Sequence, residues 1–99
     1  MLTGSCLCGG VRYTIEGELG PVALCHCGMC RKASGTAFAT NASVARRGFR
    51  LVQGSTLVRR YESSPGKWRT FCEVCGSPLF SETDEMPDAA CPATPRSWA

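Results

Sequence analysis

Seven of the eight cysteines stand in short clusters. Cys6-Leu7-Cys8 is the first, Cys25-His26-Cys27-Gly28-Met29-Cys30 the second, and Cys72-Glu73-Val74-Cys75 the third; Cys91 stands apart in a Pro/Ala-rich stretch. One or two residues between thiols let neighbouring sulfurs converge on one ion. A tight turn after the first cysteine aims backbone N–H groups at its sulfur and helps hold a thiolate charge. Three chemistries use such spacing. A disulfide framework needs an oxidising compartment, and Met-Leu-Thr-Gly-Ser-Cys is no export segment; cysteines in a C-x-C pair also bridge each other poorly. Thioredoxin-type redox chemistry wants a C-x-x-C opening a helix in a βαβ setting, which is not read here. The third is zinc, which soft thiolate clusters of this spacing select.

Ligand counting divides the clusters. A structural zinc site takes four thiolates, and Cys6, Cys8, Cys72 and Cys75 supply four. Cys25, Cys27 and Cys30 remain, and three ligands with an open fourth position are the layout of a reactive centre. His26 would close that site if it ligated. In an extended segment, however, Cys25 and Cys27 share one face and His26 points to the other.

The elements that must position these groups are short. Val11, Tyr13 and Ile15 alternate with Arg12 and Thr14, which predicts a half-buried strand. Residues 16–21 read as a turn, 22–25 as a strand entering the second cluster, and 27–34 as a helical turn ended by Gly35. Further strands are expected over 36–44 with Phe38 as anchor, then over 49–52, 57–62, 68–72 and from Pro78 onward. Gly54-Ser55 and Ser63-Ser64-Pro65-Gly66 are the turns between them. Trp68 and Phe71 read as core residues. Many short strands with frequent turns predict a mainly β domain, and no helix of ordinary length is indicated.

Size makes the staples necessary. The chain has 99 residues, of which only 18 are Leu, Ile, Val or Phe. A core so thin needs metal, disulfides or a partner subunit. Residues 1–81 are therefore read as one zinc-binding domain. Residues 82–99, with Cys91 and Trp98, are read as an irregular Pro-rich tail. No apolar run reaches membrane-spanning length, and the absence of an export segment predicts a cytoplasmic protein. Residues 1–81 carry ten basic and four acidic side chains, while 82–99 carry one and four. The basic body suits an anionic small molecule. Nucleic acid is disfavoured, because the aromatics do not interleave with the basic residues.

Four motifs then occur in order. They are Gly4-Ser5-Cys6-Leu7-Cys8-Gly9 with Val11-Arg12-Tyr13; Cys25-His26-Cys27-x-x-Cys30-Arg31-Lys32-x-Ser34-Gly35; Ser63-Ser64-Pro65-Gly66-Lys67-x-Arg69; and Phe71-Cys72-x-x-Cys75-Gly76-Ser77. Over about residues 3–81 this pattern resembles the glutathione-dependent formaldehyde-activating enzymes, also called S-(hydroxymethyl)glutathione synthases. The resemblance implies a β-tent of short antiparallel strands with two zinc ions. One, structural, is held by Cys6, Cys8, Cys72 and Cys75; the other, catalytic, by Cys25, Cys27 and Cys30, with His26 not a ligand. It implies carbon–sulfur lyase chemistry in which a thiol, glutathione or a relative, adds to formaldehyde or a similar aldehyde. Arg31, Lys32 and Arg69 are the candidates to offset the thiolate charge and hold the carboxylates of glutathione. Relatives run on past the Cys-Gly-Ser motif with further strands, so the expected fold has a shortened C-terminal part, with a homodimer as a means of covering the open sheet edge. A zinc-stapled binding module and a family member without turnover are the alternatives.

Overall fold

The computed structural model describes residues 2–17, 20 and 22–92. Ten strands and one short helix follow in order: β1 (Leu2–Ser5), β2 (Arg12–Ile15), β3 (Val22–Cys25), α1 (Gly28–Ser34), β4 (Ala39–Ala42), β5 (Val44–Ala45), β6 (Phe49–Gln53), β7 (Val58–Ser64), β8 (Lys67–Cys72), β9 (Pro78–Thr83) and β10 (Ala89–Pro92). They form a three-stranded sheet in the order β1-β2-β6, a five-stranded sheet in the order β5-β10-β9-β8-β7, and the hairpin β3-β4. Every strand pairing is antiparallel. The fold is thus mainly β, as its residue pattern predicts.

The alternation at the start of the chain decides the core. Val11, Tyr13 and Ile15 are fully buried, and they meet Phe49, Cys72, Leu79, Phe80 and Ala90 between the two larger sheets. The Tyr13 and Phe49 rings stack at 5.0 Å between centroids, and Phe49 tilts against Phe80 at 4.7 Å. The five-stranded sheet therefore has a core face. Alternation along β8 puts Thr70 and Cys72 on that face and Lys67 and Arg69 on the other. The register sets Arg69 opposite Ser81 and Lys67 opposite Thr83, so these four residues share the outer face of β8 and β9.

The structure departs from the residue pattern in four places. Leu2–Ser5 is an edge strand that the pattern misses. It holds only one large apolar residue, and pairing with β2 rather than its own propensity defines it. The strand expected over 36–44 begins only at Ala39, and Phe38 is 38% exposed rather than anchoring it. The described part of the irregular run expected from Glu82 contains strand: β9 continues to Thr83, and Ala89–Pro92 pairs with both β9 and β5. Trp68 and Phe71 are half-buried rather than core, with the Arg60 guanidinium 3.9 Å above the Trp68 ring. Trp98, and part of the turn expected over 16–21, lie outside the described residues. Among the described residues, no helix is long and apolar enough to cross a membrane.

Candidate metal centres

All eight cysteines are free thiols, so no disulfide framework is built. Two tight turns build the first cluster. In the β1–β2 turn, the Gly9 N–H reaches the Cys6 carbonyl at 3.1 Å; in the β8–β9 turn, the Gly76 N–H reaches the Cys72 carbonyl at 2.8 Å. Both glycines have positive φ, 76° and 75°, which side-chain-bearing residues rarely adopt. The turns are laced together: the Leu7 N–H donates to the Ser77 hydroxyl at 3.0 Å. The result brings the sulfurs of Cys6, Cys8, Cys72 and Cys75 within 4.8 Å of one another.

These spacings fit a zinc ion. With arms of ~2.3 Å, a regular ZnS₄ tetrahedron has edges of about 3.8 Å. Cys6 Sγ lies 3.4 Å from Cys8 Sγ, and Cys8 Sγ lies 3.8 Å from Cys72 Sγ. The thiols divide their protons unevenly. Bonds from Ser77, through its hydroxyl first, pull Cys75 down to about 5. A backbone bond from Gly10 pulls on Cys8, yet the neighbouring sulfurs, Cys6 foremost, drive it up to about 11. Burial opposes ionisation of Cys6, but the Val11 N–H at 3.3 Å and the adjoining thiols bring its pKa down. Thiolates this close repel one another when all are ionised, and a divalent cation relieves that repulsion.

A strand end and a helix start build the second cluster. Cys25 closes β3, and Cys27 is the N-cap of α1, its sulfur accepting from the Cys30 N–H at 3.4 Å. Gly35 ends the helix in the left-handed conformation, its N–H on the Arg31 carbonyl at 2.9 Å. Cys27-x-x-Cys30 therefore does open a helix, but between antiparallel strands and not in a βαβ unit. Cys25, Cys27 and Cys30 lie within 4.8 Å of one another, with Cys25 and Cys27 Sγ 3.5 Å apart. This spacing also suits zinc–thiolate ligation. The Cys30 N–H, above all, brings Cys27 down to about 7. Burial pushes Cys30 up, against the pull of Arg69. His26 stands outside the group, exposed, with its ring 5.2 Å from that of Phe38.

The cluster opens on a cleft of about 380 Å³ whose walls include Cys25, Cys30, Lys67, Arg69 and Glu85. Arg69 spans the gap from the sheet to the cluster. Its Nη2 donates to Cys30 Sγ at 3.6 Å, and its Nε donates to the Ser63 hydroxyl at 2.9 Å. Arg31 and Lys32, by contrast, lie exposed on α1 and do not line this cleft. The geometry brings Arg69, but not those two, to the sulfurs. Lys67 and Glu85 are the cleft residues that sequence reasoning passed over. Lys67 falls one residue before the strand expected over 68–72, and its signal is its place in the Ser63-Ser64-Pro65-Gly66-Lys67-x-Arg69 motif; Glu85 has none.

Comparison with known proteins agrees with this architecture. A crystal structure of a Rhodobacter sphaeroides protein superposes with a TM-score of 0.78 at 22% identity, covering 93% of this chain and 84% of that one; it establishes likeness of fold. A Halomonas elongata protein named for glutathione-dependent formaldehyde activation is 33% identical over 100 residues. That match takes in 93% of this chain but 62% of the relative's length. The sequence profile of the glutathione-dependent formaldehyde-activating enzymes matches residues 1–93. With the cysteine clusters, the mainly β fold and this match in hand, the chain belongs to the glutathione-dependent formaldehyde-activating enzyme family.

Proposed function

We propose that this chain joins a thiol to an aldehyde carbonyl, with glutathione and formaldehyde as the substrate pair its family suggests. In this reading Cys6, Cys8, Cys72 and Cys75 hold a structural zinc, and Cys25, Cys27 and Cys30 hold a reactive one. One observation carries it. The second cluster offers three sulfurs and, among the described residues, no fourth His, Cys, Asp or Glu atom, and it forms part of a cleft wall. Zinc in such a setting supplies a Lewis acid that lowers the pKa of an incoming thiol from its free value near ~8.5.

The chain's own residues do the rest. The cleft holds thiol and aldehyde together, replacing a bimolecular encounter with an oriented one. Arg69 keeps Cys30 in place and offsets the negative charge that accumulates on clustered thiolates. In the net reaction the thiol sulfur bonds to the carbonyl carbon and the C=O π bond opens. The thiol proton ends on the oxygen, giving S-hydroxymethylglutathione. The reverse reaction breaks the C–S bond, which makes this a carbon–sulfur lyase. A reducing cytoplasm is the setting that keeps such thiols available.

Exchange NMR of glutathione with ¹³C-formaldehyde tests the proposal. Zinc-loaded protein is expected to accelerate adduct formation, and Cys27→Ala to abolish the acceleration while retaining the ion at the four-cysteine site. An exchange rate equal to that without protein would overturn the proposal.

A further inference from the structure

We infer that the cleft selects thiols bearing both a carboxylate and an ammonium group, and that Lys67 and Glu85 read those two charges. The inference rests on the thiol chemistry proposed for the cysteine cluster. Lys67 and Arg69 project from the same face of β8, two residues apart, and both line the cleft beside Cys25 and Cys30. Lys67 Nζ donates to the Ser81 hydroxyl at 3.3 Å. Ser81 is the cross-strand partner of Arg69, so the two cations are drawn along one floor. Glu85 lines the same cleft just past the end of β9. Its position is set by the neighbouring turn, where the Asp84 N–H donates to the Gly66 carbonyl at 2.8 Å and ties the β9 exit to the β7–β8 turn.

Among the described residues, the ion pairs are Arg46 with Glu82 and Arg59 with Glu73. Neither Lys67 nor Glu85, among the described residues, is held in an ion pair, and both line the cleft. Two positive groups and one negative group surround a volume of about 380 Å³, within the range of small-molecule sites. An amino-acid-like thiol matches that array, with a carboxylate toward Lys67 and Arg69 and an ammonium toward Glu85. A neutral thiol gains nothing from it.

Calorimetric titration of the zinc-loaded chain with three probes tests the inference: glutathione, 3-mercaptopropionate (carboxylate only) and 2-mercaptoethanol (neither charge). Glutathione is expected to bind most tightly. Glu85→Gln is expected to weaken glutathione by about threefold to fivefold, the scale of an exposed ion pair, and to leave 3-mercaptopropionate unchanged. Lys67→Met is expected to weaken both by about tenfold, the scale of a charged hydrogen bond, and Lys67→Arg to restore them. Neither substitution should alter 2-mercaptoethanol. Equal losses for all three probes, or glutathione unaffected by Glu85→Gln, would overturn the inference. Equal wild-type affinity for the three would overturn charge selection alone, leaving the thiol chemistry standing. Binding of no thiol would bring down both.

Discussion

Replacing Arg69 by methionine removes the guanidinium that lies 3.6 Å from Cys30 Sγ while keeping most of the aliphatic stem. At an effective dielectric of ~20, a full charge pair at this distance is worth about 4 to 5 kcal/mol. Arg69 is only half-buried, and solvent screening reduces that figure to the ~1.5–3 kcal/mol of a hydrogen bond to a charged group. The three-cysteine centre should therefore lose about tenfold to a hundredfold in zinc affinity, at ~1.4 kcal/mol per factor of ten. Among the described residues, Arg69 bonds to Cys30 and Ser63 and not to the four-cysteine centre, which should be unaffected. Competition with a chromophoric chelator reads the two sites as separate release steps. The weaker step alone should move in Arg69→Met, and Arg69→Lys should restore part of the loss. If both steps shift together, or neither moves, the assignment of Arg69 as the counter-charge of the second cluster is refuted.

Two further outcomes follow from the geometry. Cys72 is fully buried, within both the four-sulfur group and the core cluster. Cys72→Ala should leave a largely unfolded chain with little amide dispersion in NMR, whereas Cys27→Ala should keep the native spectrum, because metal binding at a structural site is folding energy. The Thr70 hydroxyl is buried with no hydrogen-bond partner. Thr70→Val should therefore raise stability by about 1 kcal/mol, visible as a higher denaturant midpoint at unchanged slope.

The sequence makes the chemistry more legible than the architecture around it. Cysteine spacing is a local property: Cys6 with Cys8 and Cys72 with Cys75 can be grouped by ligand count, and the fold brings those four sulfurs together. The strand at Arg12–Ile15 is equally readable, because one face of it is fully buried and the other is not. Strands defined by their partners are not readable. Apart from Leu2, Leu2–Ser5 and Ala89–Pro92 are built from small residues and proline, and pairing with β2, β5 and β9 orders them. Phe38 misleads because an aromatic signals burial, yet here it packs on exposed His26. Arg31 and Lys32 adjoin Cys30 in sequence, but the turn of α1 carries them away from the cleft wall. Lys67, far from that cluster in sequence, reaches the cleft through the β8–β9 register.

The central claim is that one centre is saturated by protein sulfur while the other leaves room for an outside thiol. Zinc K-edge absorption spectroscopy of the doubly loaded chain, before and after glutathione, measures this directly. The account predicts an average of about 3.5 sulfur neighbours per zinc, rising to about 4 when the thiol is added. Four sulfurs per zinc from the outset, or a count that glutathione leaves unchanged, would contradict it.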